Sequence, residues 1–144
     1  MSDAGRAEPL RNAANGLAAH FESIRPRAFL DDITTKNVLI HEGNLAGIVD
    51  VDEICFGDRI APIGLTKASL LSRGFVIDYI DYWSEALHLN EVERKALDFY
   101  AAASAFCFLA EQGQRFNRDG PVSVNTDEVR KLESLFDELI VNVG

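Results

Sequence analysis

Residues 29–40 read FLDDITTKNVLI, and residues 47–52 read GIVDVD. The first stretch holds Asp32 and Asn37 in the spacing D-x-x-x-x-N, followed by the β-branched run Val38-Leu39-Ile40. Glu42-Gly43-Asn44 is a turn signal, and Leu45 to Val51 is a second apolar run containing Ile48 and Val49. Two short apolar runs around such a turn predict a β-hairpin. A hairpin returns its second strand to the start of its first. Asp32 and Asn37 are therefore expected to face Asp50 at one end of the pair.

The surrounding sequence is helical in period. Apolar residues at Leu10, Ala14, Leu17, Phe21 and Ile24 predict one helix over 8–25, stopped at Arg25-Pro26, with Ser2 to Glu8 frayed. The acidic stretch Asp52 to Arg59, with Gly57, reads as a loop. Beyond it, Pro62 fits a first-turn position of a helix running to Gly74. Phe75, Tyr79, Tyr82, Trp83 and Ala86 form the stripe of the next helix. Asn90 with Glu93 predicts a capping-box start to a long buried helix ending near Gly113. A loop through Asp119-Gly120-Pro121 leads to a last helix, capped by Asn125 or Thr126, with Val129, Leu132, Phe136, Leu139 and Ile140 inward. The fold class is mainly α with one small β-hairpin (α+β). Residues 1–144 form one domain: a helix at 8–25, the loop and hairpin at 29–60, and a helical subdomain at 61–144.

Composition bounds the function. With 14 basic and 23 acidic residues the net charge is −9, which disfavours nucleic acid or an anionic membrane as partner. A cationic or metal-bound ligand suits that balance. Two distant cysteines, Cys55 and Cys107, argue against a disulfide framework and for reduced thiols near the core in a cytoplasmic protein. No apolar run is long enough for a membrane span, and no signal peptide is visible. His20, His41 and His88 lack metal-ligand spacing and read as surface or boundary residues. Trp83 with Tyr79 and Tyr82 reads as core, with a ligand groove as the alternative. Glu91 to Lys95 reads as the wet face of a helix.

The chemistry concentrates between Phe29 and Arg59. Hard cations such as Mg²⁺ take oxygen ligands, one or two carboxylates completed by phosphate and water. Asn37 and Asp50 offer that set. A carboxylate left unliganded, Asp32, can take a proton from a hydroxyl. The order D-x-x-x-x-N, hairpin, Asp matches a kinase catalytic loop and its metal-binding Asp.

Taken together, Phe29 to Asp32, Asn37 to Ile40, Gly47 to Asp52 and Cys55 to Asp58 resemble the aminoglycoside phosphotransferase group of the protein-kinase-like fold, and its choline kinase-like relatives. The resemblance covers the C-terminal lobe of that family. It implies Asp32 as the catalytic Asp, Asn37 and Asp50 as Mg²⁺ ligands that hold the nucleotide phosphates, and Asp58 as a brace for the loop. Asp52 and Asp31 are further candidates for binding a substrate. The implied substrate is a small hydroxyl or amine compound, with cationic ones among the candidates, and the implied cofactor is Mg²⁺ with ATP. Two positions depart from the family: Leu30 and Asp31 stand where His-Gly is usual. A Gly-rich loop and strand Lys, which cradle ATP in such enzymes, do not occur ahead of Asp32. The chain is thus expected to be truncated or one part of a split enzyme, with little activity alone. The alternative is a non-catalytic interaction or cation-binding module that self-associates through the exposed lobe interface.

Overall fold

The computed structural model describes residues 4–30, 35–52, 54–112, 114 and 124–144. The chain is mainly helical with a small antiparallel β portion. Helices α1 (Ala4–Gly16) and α2 (Ala18–Ser23) precede strand β1 (Arg27–Leu30). A 3₁₀ turn, Thr35–Asn37, leads into β2 (Val38–His41) and β3 (Asn44–Ile48), and β4 (Ile54–Gly57) follows. Four helices complete the chain: α3 (Ala61–Ser72), α4 (Asp78–Ala86), α5 (Glu91–Glu111) and α6 (Thr126–Val141).

The core is built by α3, α5 and α6. Ala68, Ala101, Ala102 and Ala105 pack with Leu135, Phe136 and Leu139. Small side chains let α3 and α5 approach closely. Gly64 marks the tightest point, since a Cβ there would run into Tyr100 Cβ and the Ala101 backbone. A second cluster joins Ile60, Ile63 and Leu70 to Ile80 of α4 and to Leu89 and Leu97. A third seats Leu17 against Ala96 and Val143, with Phe21 and Phe99 alongside. The capping box is present: the Asn90 side chain accepts from Glu93 N–H, and Glu93 accepts from Asn90 N–H, both at 3.0 Å. Asn125 caps α6. The expected Gly113 cap and the Asp119-Gly120-Pro121 loop lie outside the described residues.

Three local expectations are corrected. The first helix begins at Ala4, because Arg6 is anchored to Glu133 (2.9 Å) and Asp137 (3.3 Å) of α6. It is also broken at Leu17, whose buried side chain is needed in the third cluster. The supposed loop 52–59 contains β4, which pairs antiparallel with β1 in the register Arg27↔Gly57 to Leu30↔Ile54. Neither strand shows a local signature, because each is specified by a partner 24 to 30 positions away, from Leu30↔Ile54 to Arg27↔Gly57. The third correction concerns α4, which starts at Asp78 rather than Phe75 and leaves Tyr79 and Tyr82 exposed. Only Trp83 of the three packs, partly buried, against the core.

The hairpin forms as expected. Val38 pairs with Ile48 and His41 with Asn44, with a register irregularity between Leu39 and Ile40. Glu42 (φ +49°) and Gly43 (φ +76°) make the two-residue turn. Two left-handed residues in succession match the right-handed twist of the strands. Beyond each other, β2 and β3 make no extensive contact with another described element. No helix among the described residues is long and apolar enough to cross a membrane.

Candidate functional site

Two short ladders bracket the acidic segments. The β1–β4 ladder ends at the pair Leu30↔Ile54, and the β2–β3 ladder begins at Val38↔Ile48. Between them the Asn37 carbonyl accepts the Val49 N–H at 2.9 Å. Residues 31–36 and 49–53 therefore each connect the same two ladders, and their ends are tied together on both sides. Asp31 and Asp32, the candidate substrate-binding and catalytic acids, lie outside the described residues.

Asn37 is 6 % exposed, and Asp50 and Asp52 stand exposed at the hairpin's exit. Asp50 adopts φ +59°. A left-handed backbone costs most residues 1–2 kcal/mol or so, less for Asp, and is retained where the surroundings impose it. At Asp50 the chain turns out of β3 directly after the Asn37–Val49 bond. The donor set suits a hard cation: one amide oxygen and one carboxylate, neither soft nor nitrogenous. Among the described residues no three His, Cys, Asp or Glu side chains gather as a metal-ligand group. The Asn37–Asp50 pair includes only one such residue.

A second polar cluster lies at the other end of the β1–β4 ladder, just beyond Gly57. Asp58 is 8 % exposed. Its Oδ1 accepts the Ile60 N–H at 3.1 Å, an Asx-type turn that opens α3. Its Oδ2 lies 2.8 Å from His20 Nε2 and accepts the Tyr100 hydroxyl at 3.3 Å. Asp58 thus ties α2, which leads into β1, and α5 to the end of β4. Burial, aided by the neighbouring Asp58 carboxylate, raises the Tyr100 phenol above its ordinary value. Asp58 is thus a buried structural acid at the junction of β4, α2, α3 and α5. His20 is more than a boundary residue, and nothing in its spacing foretold that, since its partner Asp58 lies 38 positions on in sequence.

A cleft of about 840 Å³ opens beside this cluster, with His20, Arg25, Arg27, Asp58, Arg59 and Glu93 among its walls. Arg59 pairs with Glu93 at 3.0 Å. Glu93 sits below its usual carboxylate range, chiefly because it accepts the Asn90 backbone N–H and then because of Arg59. It is therefore more than part of a wet helix face. Of the two thiols, Cys55 is half-buried on β4, whereas Cys107 is exposed on α5, which corrects the near-core reading for Cys107. His41 and His88 are exposed.

Comparison of the chain with protein-family models, with curated proteins and with solved structures finds no match.

Proposed function

We propose that the chain is the metal- and acceptor-side lobe of a kinase-like small-molecule phosphotransferase. One observation carries the reading: residues 37 and 50, which the motif pairs as metal ligands, are brought to one end of the hairpin by the Asn37–Val49 backbone bond. The left-handed backbone of Asp50 adds to it, since such conformations gather at functional sites.

In this reading Asn37 and Asp50 would hold Mg²⁺, which supplies charge neutralisation at the nucleotide phosphates. Asp32 orients the acceptor hydroxyl and takes its proton. Asp52 and Asp31 offer carboxylates to a cationic acceptor. Asp58 holds the loop's supports through His20, Tyr100 and the Ile60 amide. Phosphoryl transfer depends on positioning and charge, so turnover requires a nucleotide-binding lobe in addition to residues 29–144.

The test is phosphate transfer from ATP to a panel of aminoglycosides and amino alcohols, with and without a co-expressed Gly-rich, Lys-bearing β-domain. Activity that disappears in Asp32→Asn supports the reading. Equal rates for wild type and Asp32→Asn refute it.

A second reading, a non-catalytic module that self-associates, is favoured by exposed apolar side chains on the two β ladders. Ile40, Leu45, Ile54 and Phe56 are all exposed, Phe56 by 74 %. Apolar clusters of this kind mark association surfaces. Sedimentation at several protein concentrations tests it, and a strict monomer at the highest concentration counts against it.

A further inference from the structure

We propose that the outward face of α4 docks an Arg- or Lys-bearing polypeptide segment. The face is defined by what α4 buries. Ile80 and Ser84 point inward, and Trp83 packs partly buried on the second core cluster. The opposite side carries Asp78, Tyr79, Asp81, Tyr82 and Glu85, all exposed. Tyr82 is 71 % exposed and Tyr79 55 %, and Phe75 and Val76 extend the apolar surface just before the helix. The Tyr79 and Trp83 rings are 5.5 Å apart, so the exposed rings continue into the core-anchored indole.

The carboxylates on this face are arranged against one another. Asp78 and Asp81 are three apart and Asp81 and Glu85 four apart, spacings at which like charges repel. The first two suit the positive end of the helix dipole, but Glu85 stands near the negative end. Among the described residues none of the three pairs with a base. The segment 78–86 itself contains no Lys or Arg. A guanidinium satisfies both halves of such a surface: it stacks on an aromatic ring and donates paired hydrogen bonds to carboxylates.

The shape selects a polypeptide over a small ion. Small ligands need concavity. These side chains stand on a convex helix of about 13 Å, and the three clefts near His20, Lys36 and Lys131 do not include them. Exposed Tyr rings backed by a fixed Trp are the usual anchors of protein interfaces.

Trp83 is the chain's one tryptophan, so its fluorescence reports on this face directly. The experiment titrates the full chain with a short peptide alternating Arg and Leu, with its Glu-for-Arg counterpart, and with free arginine amide. The expected result is a saturable change with the Arg peptide alone, weakened about tenfold or more in Tyr82→Ser and in Asp81→Asn, at unchanged circular dichroism. Equal responses to both peptides, no response to the Arg peptide, or full binding by Tyr82→Ser overturns the proposal. So does an equal response to arginine amide, which would make the face a site for isolated cations. A signal that tracks the protein's own concentration would assign it to a second copy and overturn the proposal as well.

Discussion

His20 Nε2 and Asp58 Oδ2 lie 2.8 Å apart, bridging α2 and the start of α3. The carboxylate also serves the Tyr100 hydroxyl and the Ile60 amide, and it is almost wholly buried. Removing it strands three donors in a dry environment. Asp58→Ala should therefore cost about 2–4 kcal/mol of unfolding free energy. Tyr100→Phe, which removes one weaker donor, should cost about 1 kcal/mol. Urea denaturation of both variants checks the order. A loss for Asp58→Ala no larger than for Tyr100→Phe would mean that the brace is not shared.

Tyr100 also sets an alkaline limit. Its phenol titrates higher in the folded chain than its ordinary value of 10.0. A raised value means the folded state holds the proton more tightly. The corresponding stability is complete below pH 10 and is lost as the pH climbs through the folded value. Wild type should lose stability above pH 10 more steeply than Tyr100→Phe. Parallel losses would place the alkaline sensitivity elsewhere.

Glu93 gives the acid counterpart. Its carboxyl is held below its ordinary value of 4.5 by the Asn90 N–H and by Arg59. A lowered value contributes stability that is present above pH 4.5 and disappears as the pH falls through the folded value. Glu93→Ala should be less stable than wild type at neutral pH. The gap should narrow as thermal melts are repeated below pH 4.5. A gap independent of pH would point to lost packing instead of the charged cap.

Gly64 meets α5 where no other side chain fits. Gly64→Ala forces the Cβ against Tyr100 and the Ala101 backbone, and overpacking of this kind costs about 1–3 kcal/mol. The shift of the α3–α5 contact should also disturb the Tyr100–Asp58 bond. A melting temperature equal to wild type would show that the two helices separate without cost.

Asp50 separates stability from function. Glycine tolerates its φ of +59°, so Asp50→Gly should be as stable as wild type or slightly more so. Calorimetric titration with Mg²⁺ or Mn²⁺ should show binding to wild type and its loss in this variant. Unaltered binding in Asp50→Gly would remove Asp50 from the metal site.

The sequence by itself determined the elements whose information is local. The hairpin followed from two β-branched runs and the Glu42-Gly43-Asn44 turn, the α5 start from Asn90 and Glu93, and the last helix from its Leu and Phe spacing. Asn37 and Asp50 were legible as a candidate pair for the same reason, since the hairpin makes the nearness of their backbones a short-range matter. Tertiary structure alone decided the rest. The β1–β4 ladder, the break at Leu17, the His20–Asp58–Tyr100 cluster and the exposure of Tyr79 and Tyr82 each depend on which distant segment packs against which. Periodicity along the chain records how a residue repeats, and carries no record of the partner that covers it or leaves it bare.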